Sequence, residues 1–268
     1  MGGSMMEEYA MALAKRISGL FQYKLTGVYL HGSLAMDCFN PEISDIDLLI
    51  IVENGLRKDE KEALDALFLK EYRGDHLPAK GLEVSVITRG NVYPLLYPTP
   101  FEYHFSDMHI DAIRRGAATF PATDPDIAAH IAVIRTRGRV LIGEPIGAVF
   151  APVPYHNYMK AICYDIHDAE ADISKQPTYM ILNLCRVYQF CIKQSVASKK
   201  EGGEWGLQSL PVRFHPIIQK ALKVYETGEM WQTAVEEEAS LTDFAVYMTS
   251  IIREKSINFL EHDDNLKI

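Results

Sequence analysis

A glycine-serine pair and three carboxylates in the first third of the chain have the types and spacing for phosphate chemistry. They are Gly32-Ser33, then Ser44-Asp45-Ile46-Asp47, then Glu83. Glycine has no Cβ, so the N–H groups of Gly32 and Ser33 can approach phosphate oxygens closely. A helix beginning there would add partial positive charge, and the Ser33 hydroxyl would add a donor. Taken alone, Gly-Ser after a strand is only a turn. Asp45 and Asp47 lie two apart on an expected strand, so both carboxylates project from one face, roughly 7 Å apart along the chain. Oxygen ligands in that arrangement can share two Mg²⁺ ions. The strand they open is otherwise apolar, where unpaired acids would be costly. Glu83 is the charged residue of Leu82-Glu83-Val84-Ser85-Val86-Ile87. It would be a third metal ligand, the base that takes a proton from an attacking hydroxyl, or a charge guarding a sheet edge. Nucleotidyl transfer from a nucleoside triphosphate needs the whole set.

The elements that must carry these residues follow from the hydropathy pattern. Residues 7–21 read as an amphipathic helix with Ala10, Leu13, Ile17 and Leu20 on one stripe. Residues 25–30, 45–52 and 82–88 read as strands. Residues 57–73 read as a charged helix with Leu64, Leu67 and Leu69 available for packing. Proline and aromatic residues dominate 93–105, which reads as a loop. Its rings Tyr97, Phe101, Tyr103, His104 and Phe105 would line a pocket or simply pack. His104 and His109 have no partner at metal-ligand spacing. Asp124-Pro125-Asp126 reads as a helix start with Asp124 as N-cap, and that helix would run to about Thr136. A Gly/Pro-rich stretch, 138–154, follows. Beyond it no strand is evident, and helical patterns recur at 155–173, 178–195, 214–226 and 241–260. The expected domains are 5–153 and 154–268.

The 268 residues are 48% apolar and 24% charged, an ordinary globular balance. A net charge of -9 argues against a nucleic-acid partner, because phosphate backbones are bound by Lys and Arg clusters. It suits a cationic partner or a metal-bound nucleotide. No apolar run reaches bilayer-spanning length, and residues 1–9 lack a signal-peptide pattern. Cys38, Cys163, Cys185 and Cys191 form no CxxC pair, as expected of reduced thiols in a cytoplasmic protein.

The order Gly32-Ser33, Ser44-Asp45-Ile46-Asp47, Glu83 resembles the nucleotidyltransferase superfamily with a DNA polymerase β-like fold. Further motifs resemble one branch of it, the streptomycin/spectinomycin (aminoglycoside) adenylyltransferases. They are Leu82-Glu83-Val84-Ser85-Val86-Ile87, Asp124-Pro125-Asp126-Ile127-Ala128, Leu182-Asn183-Leu184-Cys185-Arg186-Val187, and Glu204-Trp205 through Leu210-Pro211. The resemblance covers most of the chain. It implies an α+β fold: an N-terminal nucleotidyltransferase domain with a mixed sheet, joined to a C-terminal α-helical bundle, with ATP between the two. It implies that Asp45, Asp47 and Glu83 hold two Mg²⁺ and that Glu83 is the catalytic base. Gly32, Ser33 and Ser44 would contact phosphates, Asp126 would belong to the nucleotide site, Lys199 would reach the triphosphate and Tyr225 would close over the nucleotide. Read from the residues alone, Lys199 beside Lys200 is a solvated pair, Tyr225 a core residue and Asp126 a helix-start acid.

The implied reaction moves AMP from MgATP to a hydroxyl of a small cationic antibiotic. The chain departs from the family pattern in three places. The spacing from Gly-Ser to Asp is one residue longer. Met108 stands where a tryptophan packing on streptomycin is expected, which favours spectinomycin. Gln176-Pro177-Thr178-Tyr179 replaces an acidic, polar stretch, for which Asp172 is the candidate substitute. Two other readings remain: the same chemistry on another acceptor such as a lincosamide, and a nucleotide-binding, antitoxin-like regulator. The helical half shows no clear Arg-then-His toxin spacing.

Overall fold

In a computed structural model of the chain the described residues are 3–72 and 77–260, with the side chains of 235, 236 and 257–260 left aside. Two compact units divide the chain, Met1–Val153 and Pro154–Ile268. The fold is α+β.

The first unit runs α1 (Gly3–Phe21), β1 (Leu25–Leu30), α2 (Gly32–Ala35), β2 (Ile46–Val52), α3 (Lys58–Glu71), β3 (Leu82–Thr88), α4 (Arg89–Val92), β4 (Thr99–Pro100), β5 (Tyr103–Phe105), α5 (Ile110–Arg114), β6 (Thr123–Asp124), α6 (Ile127–Arg137), β7 (Arg139–Gly143) and α7 (Ile146–Val149). Five strands form one sheet in the order β5-β3-β2-β1-β7, and β4 pairs with β6 separately. Only the β2–β3 pair of the large sheet is parallel; β1–β2, β1–β7 and β3–β5 are antiparallel.

Side chains alternate across a strand, so each face of the sheet has its own core. Val28, Leu30, Ile46, Leu48, Ile50, Leu82, Val84 and Val86 face α1 and α3. Tyr29, Leu49, Ile51 and Ile87 face the other way, against Ile127, Ile131 and Ile134 of α6. Each fully buried aliphatic side chain contributes about 1.5–3 kcal/mol. A one-residue slip would exchange the two faces of a strand, so burial fixes the register.

Four local expectations are corrected. Leu20 is 39% exposed, and the inner stripe of α1 is completed by Phe21 instead. Tyr103–Phe105 is not loop: it extends the sheet by pairing with β3, and Tyr103 and Phe105 are buried. Asp124 ends β6, and its carboxylate accepts the Asp126 N–H at 2.8 Å, so the turn is braced by Asp124 while the N-cap position of α6 falls on Asp126. The Gly/Pro-rich stretch contains β7, a sheet strand hydrogen-bonded to β1. The expected helix 57–73 is found as α3, and Arg73 lies outside the described residues.

The second unit contains α8 (Tyr155–Tyr164), α9 (Ala169–Asp172), α10 (Pro177–Lys193), α11 (Lys199–Ser209), α12 (His215–Thr227) and α13 (Val235–Leu260). The expected helix over 155–173 breaks into α8 and α9. The pattern reading did not mark α11, because Gly202 and Gly203 are poor helix formers. A box closes its start: the Ser198 hydroxyl accepts from Glu201 N–H, and the Glu201 carboxylate accepts from Ser198 N–H. The glycines let α11 pack closely on its neighbours. A Cβ at Gly202 would lie 2.8 Å from the Arg186 Cα and N of α10. Gly202→Ala should therefore destabilise the protein, since overpacking against backbone costs about 1–3 kcal/mol and the helix-propensity gain is only about 1 kcal/mol. Thermal melting checks this, and a variant that melts at or above wild type refutes the close approach.

Candidate active site

The parallel register places Asp47 of β2 directly opposite Glu83 of β3. Asp45 sits just before β2. One carboxylate oxygen from each of Asp45, Asp47 and Glu83 lies within 4.8 Å of the others. The Gly-Ser turn approaches from β1, where the His31 N–H donates to the Asp47 carbonyl at 3.1 Å. Gly32 has φ +62°, and a Cβ there would fall 1.7 Å from Asp47 Oδ2. Any other residue would occupy the space of the carboxylate. Ser33 Oγ is buried and has no hydrogen-bond partner among the described residues. Ser44 is buried and its hydroxyl accepts the Asn40 N–H at 3.1 Å, which braces the loop leading into Asp45.

α6 closes the far side of this cluster. His130 Nε2 lies 3.4 Å from Asp126 Oδ2 and 3.9 Å from Glu83 Oε1. The His130 ring centroid is 4.7 Å from that of His31, with the planes tilted by 35°. Burial by itself would lower the His130 pKa, but Asp126, Glu83 and Asp47 overturn that and raise it to about 10. His31 moves the opposite way, held well below the usual histidine range by burial and by the charge on His130. The Glu83 carboxyl is raised, chiefly by burial, with Asp45, Asp126 and Asp124 adding to the rise and His130 opposing it. Asp124 is raised by burial and by Asp126. These shifts describe a site with surplus negative potential. Its hard oxygen donors and the space reserved by Gly32 fit a divalent cation such as Mg²⁺.

His31 and His130 were not singled out from the sequence. The available signal was the spacing: His130 follows Asp126 by four residues on a helix, so both side chains share one face. Further along the sheet, Ser85 Oγ and His104 Nδ1 are 3.0 Å apart, and His104 packs with His109, Phe101 and Phe120. Met108 lies in the turn Asp107–His109 and is 87% exposed.

The remaining candidates belong to the second unit. Lys199 opens α11, and its Nζ lies 4.8 Å from the centre of the Tyr179 ring. The Tyr179 hydroxyl donates to Asp165 at 3.4 Å, and Arg186 pairs with Asp165 at 2.7 Å. Asp172, at the end of α9, pairs with Lys175 at 2.6 Å. The acid beside Tyr179 is thus Asp165. Tyr225 is buried in α12.

Comparison with known proteins gives matches over both units of the chain. Residues 11–105 match the nucleotidyltransferase domain model, and residues 148–250 match the model of the aminoglycoside adenylyltransferase C-terminal domain. A spectinomycin 9-adenylyltransferase of Staphylococcus aureus is 28% identical over 93% of this chain and 95% of its own length. An aminoglycoside (3'') (9) adenylyltransferase of Escherichia coli is 25% identical over 84% of this chain and 86% of its own. A crystal structure of a spectinomycin adenyltransferase from Enterococcus faecialis with ATP and spectinomycin superposes with a TM-score of 0.76 at 18% identity, covering 92% of this chain and 99% of that one, a likeness of fold.

Asp47→Asn should weaken Mn²⁺ binding by about tenfold or more, because the amide keeps the shape but loses the charge that holds the ion. Metal-free melting should not fall, since one of three mutually repelling charges is removed. Calorimetric titration with Mn²⁺ beside thermal melting reads both. Unchanged affinity removes Asp47 from the metal set.

Proposed function

Since the chain belongs to the aminoglycoside adenylyltransferase family, we propose that it transfers AMP from ATP to a hydroxyl of an aminoglycoside or aminocyclitol antibiotic. The observation that carries this reading is the meeting of Asp45, Asp47 and Glu83 within 4.8 Å beside the Gly32-Ser33 turn. Residues 5–153 act as the nucleotidyltransferase domain and 154–268 as the helical partner domain. Asp45, Asp47 and Glu83 would hold Mg²⁺, which would supply charge neutralisation for the triphosphate and the departing pyrophosphate.

The residues of the chain do the rest. The N–H groups of Gly32 and Ser33, and the Ser33 hydroxyl, bind the phosphates. Ser44 supports the loop beneath them. Asp126, Lys199 and Tyr225 are assigned to the nucleotide. The acceptor oxygen attacks the α-phosphorus in line, the bond to the β-phosphate bridging oxygen breaks, and the acceptor proton passes to Glu83. The upward shift of Glu83 suits a general base better than an ordinary carboxylate would. Glu83 has two oxygens, so it would be able to hold the ion and still offer an oxygen to the acceptor proton.

The cationic acceptor suits an acidic chain with a net charge of -9. Among the described residues no helix is long and apolar enough to cross a membrane.

The direct test is pyrophosphate release with MgATP against a panel of spectinomycin, streptomycin and a lincosamide. Glu83→Gln should retain ATP binding and lose about 10²–10⁴ in kcat, the usual cost of removing a general base. Normal turnover in that variant leaves Glu83 a strand charge only.

The acceptor preference follows from Met108. A tryptophan offers a flat face to sugar rings and cations, and a methionine does not. Branched streptomycin depends more on such an outer contact than compact spectinomycin. The ratio of kcat/KM values should therefore favour spectinomycin. Streptomycin equal or better refutes the argument.

A further inference from the structure

α6 lays Ile127, Ile131 and Ile134 on the sheet, but residue 130 is not a further aliphatic one. Instead an imidazole stands there, with Nε2 3.4 Å from Asp126 Oδ2 and 3.9 Å from Glu83 Oε1. Its ring lies 4.7 Å from that of His31. His31 is 3% exposed, immediately precedes Gly32, and donates its N–H to the Asp47 carbonyl. One side chain therefore bears on the phosphate turn, on the metal-binding carboxylates and on the start of α6.

We propose that His130 is a positioning residue for AMP transfer, braced by its ring against His31, holding Asp126 through Nε2–H and confining the Glu83 carboxylate to the Asp47 side of the site. The inference rests on the function proposed above.

An imidazole suits this task because it has only two side-chain torsions, and the neighbouring ring restrains both. The Nε2–H vector is then fixed by the backbone of two elements, α6 and the end of β1. Glu83 at 3.9 Å is in contact with the ring edge rather than tightly bonded to it. It is thus hindered from swinging toward α6 but keeps its oxygens for metal and acceptor. Positioning of this kind does not call on a change in His130 protonation, since Nε2 donates both in the imidazolium and in the neutral tautomer protonated at Nε2. Displacement of a reacting group by 1 Å costs about 10²-fold in rate.

The test compares His130→Gln, whose amide nitrogen reaches near the Nε2 position, with His130→Leu, which fills similar volume without a donor. Wild type and both variants are assayed for kcat, KM for ATP and KM for spectinomycin. His130→Leu should lose about tenfold or more in kcat, with KM for spectinomycin within about threefold, and His130→Gln should recover to within about threefold of wild type. Equal kcat in all three proteins, equal loss in both variants, or a loss confined to KM for spectinomycin overturns the proposal. If His130→Leu fails to fold, His130→Asn replaces it, a donor too short to reach Asp126, with the same expected loss. A wild-type chain that modifies no acceptor overturns the functional reading instead. His130 is then judged by calorimetry with Mg²⁺ and a non-hydrolysable ATP analogue. Affinity about tenfold weaker in His130→Leu and restored in His130→Gln upholds its role, and equal affinities reject it.

Discussion

Mutual repulsion among carboxylates is the constraint around which the first unit is organised. Three acids meet within 4.8 Å, and Asp124 and Asp126 stand close enough to raise Glu83 further. Two unit charges at that separation repel by on the order of 3 kcal/mol at an effective dielectric of about 20. No local preference of the chain would gather them. The parallel pairing of β2 with β3 does so, by setting Asp47 opposite Glu83 in a register fixed through Ile46, Leu48, Leu82 and Val84 on the opposite face. Apolar burial on one side of the sheet thus holds an unfavourable charge arrangement on the other. The strain is relieved by His130 from α6, and a bound cation would relieve it further.

The same geometry explains why the site lies at the end of the strands. In mid-strand, the face that carries Asp47 and Glu83 is covered by Ile127, Ile131 and Ile134. A carboxylate under that apolar cover would be desolvated without hydrogen-bond partners. At the strand entrance the cover stops at the first turn of α6, where Asp126 and His130 replace isoleucine. The Gly32 turn fills the remaining side, and its left-handed backbone brings N–H groups near the carboxylates without a side chain in the way.

Much of this was legible in the sequence, and the misses have identifiable causes. The strand 82–88 and the polar interruptions at Asp47 and Glu83 are patterns of period two, visible in a short window. Tyr103–Phe105 and Arg139–Gly143 were not recognised as strands. Each is short, sits at a sheet edge and draws its stability from a partner distant in sequence. α11 was hidden because its glycines are chosen for close approach to α10 and not for helix propensity. His130 was passed over because its one local mark is the four-residue spacing from Asp126 on a mostly apolar helix; only the folded chain brings Glu83, 47 positions earlier, within reach. The pairing of Tyr179 with Asp165 was not visible in the sequence, because the two residues meet across a helix packing.

The histidine pair shows how neighbouring groups of one type acquire different characters. His31 is buried and His130 half-buried, and two imidazolium ions with centroids 4.7 Å apart would repel strongly. Burial alone favours the neutral form of each. His130 faces Asp126, Glu83 and Asp47, so attraction exceeds desolvation and its pKa rises to about 10. His31 has the polypeptide turn on one side and His130 on the other, so burial and repulsion act together and it stays neutral. The positive charge is thereby assigned to the helix side of the pair and kept off the glycine-serine turn. That turn is left with backbone N–H groups and a single hydroxyl, the donors that the proposed function assigns to a phosphate chain.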